Sequence, residues 1–245
     1  MGVALGVVNR LEVVKTDVAL PAAAQVAGRI GAMSHYVLTI NQRDSREVGD
    51  MVGDLLRSLR PVGTVVPFQR SFGDEAIGIV PDARSAVDAA MRALRQRRWN
   101  VGIGVGSVGP ADPERGGSLP DTQVIHDVGG PGLVYARRAV EEAARTGVRV
   151  PVAVDGPDAD VAEETQAVLR LIGQLVLTRT DAEWAVLDLL VPGVRGQQKP
   201  VAAELGITVQ AVSKAVQRSF WNEEHACRPA AERLLSLVDA VGLPR

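Results

Sequence analysis

The sequence predicts an α+β protein: a ferredoxin-like antiparallel sheet domain followed by an all-α helix-turn-helix domain. Three observations predict it. From residue 36 the apolar residues alternate between a period of two and a helical period, in the order β-α-β-β-α-β and then α-β. Turn-forming clusters, Gly73-Asp74-Glu75 and the Pro/Gly/Asp-rich stretch 110–121, separate those runs. Near the end, Gly206 stands between apolar and small residues at the spacing of two crossing helices.

Each element has its own warrant. Residues 36–40 read as a strand. Residues 48–59 read as a helix with Val48, Met51, Val52, Leu55, Leu56 and Leu59 on one face. Residues 64–72 and 76–80 read as strands joined in a hairpin. Asp82 and Ser85 can cap a helix running to about Arg97. Residues 100–108 are β-branched and glycine-rich, a further strand; 132–145 is a helix and 148–154 a last strand. These elements predict an antiparallel sheet with helices on one face. A polar break at 155–160 precedes an amphipathic helix at 161–176, expected to link the two domains and hold the second away from the sheet. The expected boundaries are an extension at 1–33, the sheet domain at 34–157, a linker helix at 158–177 and the helical domain at 178–245. The extension reads either as an added strand (3–14) and helix (22–30) or as a leader before a start at Met33-Ser34.

Composition narrows the function classes. The 245 residues are 46% hydrophobic with a net charge of −2, so the chain has a packed core and is not basic throughout. Any nucleic-acid contact must come from a local face. A single cysteine, Cys227, excludes an internal disulfide and a cysteine-rich zinc site. His35, His126 and His225 are scattered, without metal-ligand spacing. No apolar run reaches the ~18 residues of a membrane span, and the first residues do not have the layout of a signal peptide. A cytoplasmic location is the expectation.

The segment Lys199–Lys214 carries the helix-turn-helix layout. Ala202 and Ala203 allow two helices to cross closely, with Leu205 and Ile207 plugging the space between them. Gly206 supplies the left-handed position that stops the first helix, and Thr208 can cap the second. Val212 and Val216 face the core. That leaves Thr208, Gln210, Ala211, Ser213, Lys214, Gln217 and Arg218 to meet base edges and phosphates in a major groove. An upstream helix at 181–190, capped by Thr180, turns Trp184, Leu187 and Leu190 inward. A three-helix bundle used for protein contacts is the alternative. Glu223 and Glu224, just past the reading helix, predict modest affinity per copy.

Two other places suggest ligand chemistry. Asp74 and Glu75 at a hairpin tip are candidate Mg²⁺ ligands against a phosphate; a solvated acidic turn is the alternative. The neighbouring strand end offers Asn41, an amide without charge, so the sequence gives no full metal site. Gly129-Gly130-Pro131-Gly132 before a helix carrying Arg137 and Arg138 suggests a phosphate at the helix start; a tight turn with a solvated basic face is the alternative.

Together these features resemble the SatD-like proteins of bacteria. The resemblance runs from about Tyr36 to the C-terminus. It is carried by Thr39-Ile40-Asn41-Gln42-Arg43-Asp44-Ser45-Arg46, by Phe72-Gly73-Asp74-Glu75, by Trp99–Gly106, by Gly132 with Ala136-Arg137-Arg138-Ala139-Val140, and by the helix-turn-helix. It implies a front domain similar to class III nucleotide cyclases and GGDEF-type domains, paired with a second protomer, with a nucleotide near Asn41, Arg43, Ser45, Arg46, Asp74, Glu75, Gly132 and Arg137. In that pattern an aspartate ends the first strand where Asn41 stands, so the resemblance implies nucleotide binding without turnover. The leading expectation is a homodimeric regulator that binds double-stranded DNA. A nucleotide cyclase or nucleotidyltransferase with a DNA-binding tail, and a protein-binding adaptor, are the alternatives.

Overall fold

The structure, a computed structural model, describes residues 35–111 and 124–240. The elements expected within 1–33 and most of the loop at 110–121 lie outside the described residues.

Five strands make one sheet. They are β1 (His35–Gln42), β2 (Val66–Arg70), β3 (Glu75–Val80), β4 (Trp99–Gly106) and β7 (Val152–Asp155), in the order β2-β3-β1-β4-β7. A separate bridge joins β5 (Gly109–Pro110) to β6 (Val128–Gly129). Strand β1 runs antiparallel to both neighbours, with Asn41 opposite Glu75 on β3 and opposite Asn100 on β4. β4 and β7 pair in parallel. The sheet is therefore mixed rather than antiparallel throughout, as a strand that returns through a helical crossover must be.

Helices cover both faces, not one. Strand alternation sends Leu38, Ile40, Val101, Ile103 and Val105 into the larger core. That core is closed by α2 (Val52–Leu59), α3 (Ala83–Arg95), α5 (Ala159–Thr178) and α9 (Trp221–Leu237). Val37, Val66 and Ile79 point the other way and meet Ala136 of α4 (Pro131–Ala143). The glycine alternation of β4 explains the second layer. A Cβ on Gly104 would lie 2.2 Å from Ala136 N and 2.3 Å from Gly132 O, and one on Gly102 would lie 2.2 Å from Val140 N. α4 rests directly on the strand backbone because those positions have no side chain.

Local chemistry breaks the helix expected at 48–59. A single turn, α1 (Ser45–Val48), ends at Gly49 with φ 81, and α2 begins at Val52. Asp50 Oδ1 accepts from Val52 N at 3.0 Å to restart the chain. Buried Gln42 bridges the gap, donating to Gly49 O at 2.6 Å and accepting from Met51 N at 2.8 Å. Val48 is left exposed rather than on the core face. Other limits move less. Asp82 does cap α3 through Ser85 N at 2.7 Å, and β7 begins at Val152, four residues later than expected, after a turn at Gly147 with φ 89.

The helix expected to be a spacer is part of the core. Leu169, Ile172 and Val176 of α5 are buried with the sheet, as are Ala231 and Leu235 of α9. α5 also seals the β7 edge: Gln166 Oε1 accepts from Val154 N at 3.1 Å and Arg170 Nε donates to Val152 O at 3.0 Å. Those bonds use edge groups that would otherwise invite another strand.

Gly104→Ala should destabilise the chain by roughly 3 kcal/mol or more, because the obstruction is backbone and α4 must lift. Gly53→Ala, whose Cβ would meet only Arg57 Nη1 at 3.7 Å, serves as the control. Urea unfolding midpoints measure both; equal midpoints for the two variants would contradict close packing of α4.

Candidate functional sites

The C-terminal helices form a small cluster of their own. Thr180 caps α6 (Asp181–Leu187) in a reciprocal capping box with Glu183. α7 (Gln198–Leu205) stops at Gly206, φ 65, and Ile207 N donates to Ala202 O at 3.0 Å. Thr208 Oγ1 then accepts from Ala211 N at 3.1 Å and starts α8 (Val209–Arg218). Val201, Ala202, Val212 and Val216 pack against Val186, Leu187 and Trp221, with Trp184, Leu190 and Leu205 at the margin. Ile207 does not plug the space between helices; it is 39% exposed, because it occupies the connection between the stop and the cap.

All seven residues expected to face DNA are exposed: Thr208, Gln210, Ala211, Ser213, Lys214, Gln217 and Arg218. Lys214 and Arg218 form no ion pair among the described residues. Arg195 and Lys199, also exposed, precede or begin α7; sequence reading passed over them because they lie outside the helix with the reading pattern. The acidic pair beyond α8 divides. Glu223 is exposed, but Glu224 is fully buried at 3.3 Å from Arg179 Nη2 and also bonded to Arg228. Burial alone would raise its pKa, yet hydrogen bonds and charge from His225 and Arg228 hold it at about 2. Of this pair only Glu223 therefore presents negative charge to solvent.

The strand-end residues also come together. Glu75, Asn41 and Asn100 lie side by side on β3, β1 and β4. Asn100 Nδ2 donates to Asn41 Oδ1 at 2.8 Å, and Arg137 Nη1 reaches Glu75 Oε2 at 3.2 Å. Burial raises the Glu75 pKa, with Asp74 adding to it and Arg137 and a Ser71 hydrogen bond opposing it. Beside this row opens a cleft of 330 Å³ lined by Thr39, Ser71, Phe72, Glu75, His126 and Arg137, among others. Phe72 and His126 meet edge to face with ring centroids 5.4 Å apart.

Asn100, Thr39, Ser71 and His126 were not among the residues expected to bind a ligand. The signal for Asn100 was present, since it shares its strand face with Gly102 and Gly104. Glu75 is not at the hairpin tip but is the first, buried residue of β3, while Asp74 stays in the turn and its carbonyl accepts from Gln42 N at 3.0 Å. Arg43 and Arg46 are exposed without ion pairs among the described residues, and Ser45 opens α1. Gly132 does not offer its N–H to a phosphate: it is buried and donates to Ser107 O at 3.1 Å, and Leu133 N donates to Gly130 O at 3.2 Å.

A cyclase-like site implies Mg²⁺, and these residues do not fit it. The row offers one buried carboxylate, already faced by a guanidinium, and two neutral amides, whereas Mg²⁺ favours anionic oxygen. Among the described residues no three His, Cys, Asp or Glu side chains are grouped to hold a metal.

Family models, curated proteins and solved structures offer no match to this chain. Among the described residues no helix is long and apolar enough to cross a membrane.

The raised Glu75 pKa carries a pH signature. The folded chain holds this proton more tightly than the unfolded one, so the stability gained is complete below the unfolded pKa and is lost as pH rises through the folded value. Glu75→Gln should remove that loss, leaving Arg137 solvated, since its side chain is 60% exposed. Unfolding midpoints of the parent should fall relative to the variant as pH rises above the ordinary value of 4.5. Parallel profiles would contradict a buried, proton-holding Glu75.

Proposed function

We propose that this chain is a DNA-binding transcriptional regulator of the SatD-like class that acts in the cytoplasm. In this reading α7 and α8 form a helix-turn-helix, and the sheet half is a ferredoxin-type, nucleotide cyclase-like domain that binds without turnover. One observation carries it: α8 is capped by Thr208, buries Val212 and Val216, and turns Gln210, Ser213, Lys214, Gln217 and Arg218 outward, with Val209 and Ala211 exposed near its start. Short amide and hydroxyl groups beside two unpaired cations suit base edges flanked by phosphates.

The strand order β2-β3-β1-β4, built from β-α-β-β-α-β, supports the ferredoxin-type reading. The cleft at Glu75 suits a small hydrogen-bonding ligand such as a nucleotide, with Arg137 free to turn from Glu75 toward a phosphate. Turnover is disfavoured by the Asn41–Asn100 amide pair, which places no charge where a metal would need it. A single α8 with few cations binds weakly alone, so a homodimer is part of the proposal.

Replacing Lys214 and Arg218 together with Ala should weaken binding to a selected duplex and flatten its salt dependence, since each phosphate contact releases counterions. Fluorescence anisotropy at several salt concentrations measures this. Unchanged affinity and slope would assign the exposed face to another partner and favour the adaptor.

Light scattering of the intact chain should give twice the chain mass, and the selected site should hold two half-sites about 34 Å apart or a multiple of it. A monomer that occupies one half-site with full affinity would overturn the dimer.

A further inference from the structure

A groove of 870 Å³ lies between α3, α6 and α9 and belongs to neither site above. That is the size of a small-molecule site. We infer that it binds a small anion, presenting a carboxylate or phosphate to Arg84 and Arg95 and an apolar body to the indole-lined wall.

The argument starts from the cations. Most of the groove's guanidiniums are already neutralised. Arg92 Nε and Arg228 Nη1 share Asp88 at 2.7 and 3.2 Å, and Arg179 and Arg228 share Glu224. Arg84 has no ion pair among the described residues. Arg95 has its ion pair at the rim, with Asp188 at 2.7 and 2.6 Å, a carboxylate whose side chain is 49% exposed. These two arginines remain for an external anion: Arg84 directly, and Arg95 by exchange of a solvated partner.

Trp184 supplies the second reason. Its indole lines the groove, with the Arg95 and Arg179 guanidiniums over the ring at 4.0 and 4.9 Å. Its Nε1–H is buried and has no acceptor. A buried donor without a partner is uncommon in a folded protein, and a ligand oxygen would satisfy it. The Arg84 guanidinium and the Trp184 Nε1–H both call for an acceptor, and Met91, Leu187 and Leu190 supply apolar wall for the remainder of the ligand.

Asp188 is the C-cap residue of α6. An anion that takes Arg95 from it releases one tie between α6 and α3, and α6 packs on α8. If α8 reads DNA, occupancy of the groove would alter that reading; binding itself does not depend on it.

The full chain, without DNA, is titrated with benzoate and separately with inorganic phosphate at matched ionic strength. Tryptophan emission and melting temperature are followed. At least one probe should give a saturable response with a Kd of about 1 mM or below. Arg84→Ala, which breaks no ion pair among the described residues, should weaken that response roughly tenfold. Trp184→Phe, which removes the indole donor, should also weaken the melting shift. Response to benzoate alone assigns the carboxylate form, and to phosphate alone the phosphate form. No saturable response to either probe, or one unchanged in Arg84→Ala, would overturn the site.

Discussion

Helix α4 touches the backbone of β4, and much of the molecule depends on that contact. An added Cβ on Gly102 or Gly104 would fall within 2.2 Å of α4 backbone nitrogen, closer than any real side chain approaches. The glycines therefore set the height of the second layer over the sheet. With that height fixed, Ala136 enters the small core of Val37, Val66 and Ile79, and Arg137, the next residue, reaches Glu75 at 3.2 Å. Were α4 lifted by the width of a methyl group, Arg137 would lose Glu75 and the cleft would lose its wall. The same crossover brings β7 alongside β4, which makes the sheet mixed.

A second constraint ties the C-terminal helices to the sheet half. Arg179, where α5 passes into α6, is 1% exposed and is paired with Glu224 of α9, which is 0% exposed. Its Nε also donates to Ser219 O at 3.0 Å, just past α8. Removing one member of such a pair strands the other charge away from water, typically at ~3–5 kcal/mol. Arg228 carries the connection on to Asp88 of α3. The junction is thus crossed by charge pairs that lose much when separated. A spacer helix at fixed distance, the reading of 161–176 from its amphipathic pattern, omits this: amphipathicity says that one face is buried but not against what.

What was legible in the sequence was local. Thr180, Thr208 and Asp82 cap helices where their hydroxyl or carboxylate chemistry says they should, and Gly206 adopts the left-handed conformation a helix stop needs. That the end of β1 lies beside the start of β3 also followed from the element order, though the register pairing Asn41 with Glu75 did not. What was not legible depends on partners distant in the chain. The break after Val48 is stabilised by Gln42, reaching from the preceding strand. The glycines of β4 read as strand glycines, yet their role is to admit a helix some 30 residues later. Gly132 looked like an anion site because a glycine before a helix exposes its N–H; its acceptor, Ser107, lies across a loop. Glu224 looked like surface charge until Arg179 and Arg228 came beside it.

The two cavities stand in different relations to α8. The cleft at Glu75 is on the α4 side of the sheet, among Thr39, Ile77 and Leu133. α5 and α9, which carry the C-terminal helices, pack on the opposite face with Leu38, Ile103 and Val105. A ligand in the cleft therefore has no direct contact through which to move α8. The strands between are held by close helix packing on one side and a full core on the other. In the proposed dimer such a ligand would act by favouring one arrangement of the whole unit with its partner over another. The groove beside Trp184 differs, because its walls are α3, α6 and α9 themselves. The Arg95–Asp188 bond there ties α6 to α3, and α6 shares its core with α8. In a chain whose sheet is this tightly fixed, the direct route to the exposed helix runs through the side-chain ion pairs at its base and not through the strands.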